Sequence, residues 1–162
     1  MDNRLKNMCG ISLALGGFAA DWRHCDIVSN YIARAASFNH ADSFSYSNLL
    51  STVVNELLEV AFRRHGAGKS LSLDVSERPP ETVIELVFPV DDATRGSLTE
   101  IFKTIEEGDP QALYLDELAR ENANPSYIGF YELACNYNAR INIRDQGEGL
   151  VKLTLTVNLN GE

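Results

Sequence analysis

The stretch Ser45 to Gly66, SYSNLLSTVVNELLEVAFRRHG, constrains the fold more than any other part of the chain. Leu49, Leu50, Val53, Val54, Leu57, Leu58, Ala61 and Phe62 recur at i, i+1, i+4, i+5, which gives an α-helix one broad apolar face. Ser43, Ser45 and Ser47 are candidate N-caps and Gly66 is the candidate C-cap. Arg63, Arg64 and His65 fall in the last turn, where positive charge suits the helix dipole. A helix with so wide a face has to be covered, and a sheet is the natural cover.

The rest of the chain supplies strands for that sheet. GISLALG, residues 10–16, is a short apolar strand ended by glycines. A helix capped by Asp21 and running to about Asn39 follows, its apolar face carrying Trp22, Cys25, Ile27, Val28, Tyr31, Ile32 and Ala35. Alternating apolar residues over Ser70–Ser76, then Glu81–Val90 after the Pro79-Pro80 turn, predict an antiparallel pair. Helices are expected over Thr94–Glu107, Pro110–Glu121 and Tyr127–Tyr137. Strands Ala139–Ile143 and Leu150–Leu159 flank Asp145-Gln146-Gly147-Glu148-Gly149 as a hairpin. The order β-α-α-β-β-α-α-α-β-β predicts an α+β two-layer sandwich, with a mixed, mostly antiparallel sheet and helices on one face. A length of 162 residues fits one domain over 1–162.

Charge and composition narrow the function. A net charge of -9 argues against nucleic-acid and anionic-membrane surfaces and favours a basic patch on a protein partner. No apolar run approaches the ~20 residues of a membrane-spanning helix. MDNRLKNMCG lacks the apolar core of a secretion signal, so a cytoplasmic location is expected. Cys9, Cys25 and Cys135 are widely spaced and read as reduced, mostly buried thiols. His24 and His40 have no second ligand at metal spacing and read as surface or helix-end residues. No P-loop and no GxSxG is present.

Within the central helix, Glu56-Leu57-Leu58-Glu59-Val60-Ala61 resembles the N-box of the GHKL, or histidine-kinase-like, ATPases. The resemblance is to their anti-sigma-factor and SiaB-like serine kinase regulators, and the order of elements extends it over about the whole chain. The Asn that holds Mg²⁺ in that family falls at Val60, which offers no oxygen to a hard cation. The resemblance places the general base at Glu56, four residues earlier. The structural alternative is a solvated helix carboxylate, beside the Glu59–Arg63 i,i+4 pair.

The remaining candidates follow from the family's glycine boxes. Asp145 to Gly149 matches the adenine-binding DxGxG letter for letter, but only Leu150 to Glu162 follow it, too little for a lid and a further helix. A β-turn explains it, with Asp145 exposed. The position expected for that box, after Glu81–Val90, holds Asp91 and Asp92, which also serve as helix caps. Of the second glycine box only Gly129 remains, and Asn122 to Ser126 offer backbone N–H groups to a phosphate or simply enter a helix. Glu56 is therefore the catalytic candidate, and Asn55, Glu59, Asp91, Asp92 and Gly129 are the cofactor-binding candidates, with no metal ligand assigned. The resemblance implies a partner-switching regulator, a pseudo-enzyme that binds a STAS-like anti-sigma-factor antagonist and has lost or altered its use of ATP and Mg²⁺. An active serine/threonine kinase using Glu56 is the alternative, and a homodimer is compatible with both.

Overall fold

The structure, a computed structural model, describes residues 4–160. Residues 1–3 and 161–162, the ends of the expected 1–162 domain, lie outside the described residues. The elements are β1 (Lys6–Ala14), α1 (Leu15–Phe18), α2 (Arg23–Ser37), α3 (Ser43–Arg64), β2 (Ser70–Arg78), β3 (Glu81–Pro89), α4 (Asp92–Glu107), α5 (Pro110–Leu118), α6 (Pro125–Asn136), β4 (Arg140–Gly147) and β5 (Leu150–Val157). The order is the expected one with a single turn of helix, α1, added. The first strand starts four residues earlier than GISLALG, and its last apolar residue, Leu15, opens α1 instead.

The sheet has the order β1-β2-β3-β5-β4, and every pairing among the described residues is antiparallel. Register aligns apolar rows across it. Ile11, Leu73, Leu86, Leu153 and Ile143 form one such row, and Cys9, Val75, Ile84, Leu155 and Ile141 form the next. Because side chains alternate along each strand, the intervening rows, such as Asp74–Glu85–Thr154–Asn142, face away from the core. The helices cover the apolar face. The result is the two-layer α+β sandwich the element order implies.

α3 is the core helix. Leu50, Val53, Val54, Leu57, Leu58 and Ala61 are all fully buried. Its N-cap is Asp42, whose carboxylate accepts from Ser45 N at 3.1 Å, in place of the three serines. A carboxylate complements the helix dipole as well as the free N–H group, and the serines fall inside the helix. At the other end the chain leaves the helix at His65, and Gly66 N donates to Pro89 O at 2.8 Å, tying the end of α3 to the end of β3.

His40 is not a surface residue. Its side chain is 13% exposed, stacks on Tyr46 with ring centroids 3.5 Å apart and meets Glu77 of β2 at 2.7 Å. The link between α2 and α3 is thereby pinned to the sheet. Cys25 is buried, and its thiol is pushed up to about 11, mainly by burial. Cys9 and Cys135 are half-buried rather than fully enclosed, and all three thiols are free.

Candidate functional site

α3 presents its polar residues on two flanks. Toward α2 runs a ladder at one-turn spacing. Asn55 Nδ2 donates to Glu59 Oε1 at 2.8 Å, Arg63 Nη2 donates to Glu59 Oε2 at 3.1 Å, and the Arg63 guanidinium lies 5.3 Å from the Trp22 ring. Glu59 is thus held from both sides, by an amide hydrogen bond and by an ion pair. Asn55 keeps a buried Oδ1 without a hydrogen-bond partner.

Glu56, about 100° around the helix from Asn55, stands against α6. A Cβ at Gly129 would collide with its Oε2, so the glycine makes room for the carboxylate. Burial raises the Glu56 carboxyl to about 7 from an ordinary 4.5, and the negative charges of Glu59 and Glu132 push the same way against Arg63. Tyr137 shares this environment. Its hydroxyl is raised above its usual range by burial first, then by Glu132 and Glu56. Val60, one turn beyond Glu56, is 1% exposed and belongs to the core. The position at which the resemblance to the GHKL ATPases would put a Mg²⁺ ligand is thus filled by a packed valine side chain.

Asp91 and Asp92 lie elsewhere. Asp91 caps α4, accepting from Thr94 N at 2.7 Å, and the hydrogen bonds from Thr94 hold its carboxyl below the usual range. Asp92 is 98% exposed and meets Arg95 at 3.0 Å. Gly66 abuts this junction through Pro89, and α3 runs away from it at ~1.5 Å per residue, which sets Asn55 and Glu56 about 15 Å off. The six candidates therefore divide into three places: Glu56 with Gly129, Asn55 with Glu59, and Asp91 with Asp92.

The turn is shorter than the Asp145–Gly149 expected: β4 continues to Gly147, with a register shift between Asp145 and Gly147, and Glu148 and Gly149 alone make the hairpin turn, where Gly147, Glu148 and Gly149 take φ of +76°, +55° and +76°. Asp145 accepts from Gly147 N at 2.7 Å and is exposed. Tertiary structure nevertheless brings this turn to the β3–α4 junction. Val90 N donates to Gly149 O at 2.9 Å, and Arg95 stands between Asp92 and Asp145, 3.6 Å from the latter. The two segments weighed as alternatives in the sequence are spatial neighbours.

The entry to α6 is closed by its own side chains. Asn124 Oδ1 accepts from Ser126 N at 3.0 Å. Glu117, 3% exposed at the end of α5, accepts from Asn124 N at 2.9 Å and meets Arg120 at 3.5 Å. Ile128 N donates to Asn124 O. A carboxylate of the chain itself thus stands where a helix start would otherwise attract an anion. One turn on, Tyr127 bonds Ser97 of α4 at 3.2 Å and lies under Arg64 of α3 at 6.0 Å, joining three helices. Glu117, Arg64, Ser97, Tyr127, Glu132 and Tyr137 carry no spacing signal in the sequence, because each is placed by packing between elements.

Among the described residues no group of three or more His, Cys, Asp or Glu side chains is arranged to hold a metal ion. Among them, too, no helix is long and apolar enough to cross a membrane. No protein-family model and no curated protein matches the chain. One solved structure, the crystal structure of the SiaB–SiaC complex from Pseudomonas aeruginosa, contains a chain that is 11% identical, with a TM-score of 0.54 over 94% of this chain and 90% of that one. At that identity the likeness is one of fold, and it extends over nearly the full length of both chains.

Proposed function

We propose that this chain is a regulator in a partner-switching signalling pathway, binding a STAS-like protein partner, with lost or altered ATP binding. The main support is the α6 entry. A phosphate held there needs unblocked N–H groups and an attractive field. Asn124 N and Ser126 N are already bonded, and the buried Glu117 carboxylate faces the same place with negative charge. Val60 adds to this, since an enclosed valine cannot supply the oxygen that Mg²⁺ requires. The near full-length likeness to a chain of a two-protein complex supports a protein as the partner.

One observation favours the alternative, a serine/threonine kinase. Glu56 has a carboxyl raised to about 7, the range that suits a general base. The two readings separate in one pair of measurements. The full chain is titrated with a labelled ATP analogue, with and without Mg²⁺, and then incubated with labelled ATP and a STAS-like candidate partner. The expected result is a stable complex with the partner, weak or no nucleotide binding and no phosphate transfer. Transfer by the wild type that is lost in Glu56→Gln establishes the kinase. Failure to bind any STAS-like candidate removes the partner assignment.

A further inference from the structure

β4 is an edge strand with one side unused. It pairs with β5 alone, in continuous register from Arg140–Thr156 to Arg144–Lys152, and the register shifts only between Asp145 and Gly147. Alternate N–H and C=O groups over residues 140–144 therefore point off the sheet, with no backbone partner among the described residues. A cleft of about 510 Å³ runs beside this edge. Phe102 and Ile105 of α4 and Ala134 of α6 line it from the helix layer, and Arg140 and Asn142 line it from the outer face of the sheet. Ala134 lies about 15 Å along α6 from Asn124, so the cleft is remote from the α6 entry.

The outer side of the edge is basic, in a chain of net charge -9. Asn142 stands between Arg140 and Arg144, and no acid precedes Asp145 on the strand. Arg140 is held by Glu81. Arg144 faces Lys152 across the ladder, and Lys152 turns to Glu85 at 3.4 Å. Arg144 is exposed and joins no ion pair among the described residues. Like charges directly opposite one another weaken a sheet, and a carboxylate on the open side of β4 relieves this pair. Glu106 lines the cleft from α4, which reserves the inward side of an occupant for apolar residues. A second copy is a poor occupant, because antiparallel β4–β4 pairing about Asn142 sets Arg140 of each copy against Arg144 of the other. A row of free N–H and C=O groups is satisfied by an extended peptide, whose side chains alternate between the two faces of the sheet.

We propose that the free edge of β4 is a docking surface for an extended, acidic segment of a protein partner. The segment adds to the sheet beside β4, with its apolar residues in the cleft under α4 and its carboxylates against Arg140 and Arg144.

The probe is a dye-labelled, end-blocked heptapeptide of alternating valine and glutamate, titrated against the full chain by fluorescence anisotropy. Saturable binding is expected. Lysine in place of glutamate should weaken it by roughly tenfold or more, and serine in place of valine should weaken it as well. Of two forms N-methylated at alternate amides, the one whose methyl groups face β4 should not bind. Arg144→Glu puts an acid opposite Lys152, so the fold should be kept, as far-UV circular dichroism verifies. This variant should bind the glutamate peptide roughly fivefold or more weakly and the lysine peptide more tightly. If it misfolds, the peptide series still decides. The proposal is overturned if the glutamate peptide does not bind, if the lysine peptide binds equally well, or if both N-methylated forms bind like the parent. A folded Arg144→Glu with unchanged preference overturns it too. So does a wild-type dimer in sedimentation equilibrium that the glutamate peptide dissociates, which assigns the edge to a second copy. No STAS-like protein enters the titration, so its outcome is separate from that of the partner assignment above.

Discussion

Glu56 and Gly129 meet face to face between α3 and α6: the glutamate carboxylate occupies the space that a Cβ at position 129 would take. A carboxyl that would be harmless on an exposed helix is thereby enclosed, and its protonation becomes coupled to how α6 packs.

That coupling gives stability a pH dependence of predictable sign. Glu56 is raised to about 7 when folded, against an ordinary 4.5. Between those values the folded chain holds more protons than the unfolded one, so stability falls as pH rises. The contribution is full below about pH 4.5 and is lost through pH 7. Glu56→Gln should remove this slope and stabilise the protein above pH 8 by about 1–2 kcal/mol, allowing for screening of a partly wet group. Urea unfolding at pH 5 and pH 8.5, wild type against variant, measures it.

Gly129→Ala forces the same carboxylate to move. The obstructing atom is the tip of a flexible side chain, so Glu56 swings toward water at little cost, and alanine gains ~1 kcal/mol of helix propensity. The expected outcome is unchanged or slightly higher stability with a Glu56 titration shifted down toward the usual carboxylate range. Carbon-detected NMR titration of labelled glutamate carboxyls reads the shift.

Val60→Asn should not recreate a metal site. Val60 is enclosed at 1% exposure, so an amide there is buried without a partner at a cost of ~1–3 kcal/mol. Chemical denaturation should show that loss, and calorimetric titration with Mg²⁺ should show no new binding.

Leu57→Ala removes a fully buried side chain from the middle of α3 and should destabilise by roughly 2–5 kcal/mol. By contrast, Asp145→Asn keeps an acceptor for Gly147 N and gives up only a 3.6 Å pairing of an exposed carboxylate with Arg95. Its cost should stay below about 1 kcal/mol. Equilibrium unfolding of the two variants side by side checks both values.

The sequence by itself determined the architecture. The i, i+1, i+4, i+5 pattern of α3 and the alternation in β2, β3 and β5 are local signals, set by helix and strand periods, and each element lies where they place it. Asp91 as the cap of α4 and a hairpin turn ending at Gly149 were legible for the same reason, since caps and turns are made by neighbours in the chain, though pairing with β5 carries β4 through Asp145 to Gly147. Asp42 shows the limit even there, because several polar residues compete at one helix start and only the backbone geometry selects among them.

Tertiary structure alone decided the site. Val60 follows Val53 by two turns, and α3 is covered along that flank, so it joins the core although a motif alignment points it at a ligand. Asn55 and Glu56 are adjacent in the chain yet turned about 100° apart on the helix, one toward α2 and the other toward α6. Glu117 reaches Asn124, and Arg95 reaches Asp145, only because loops return distant segments to one place. Contacts of this kind depend on how whole faces pack, and no period or spacing along a single chain encodes them.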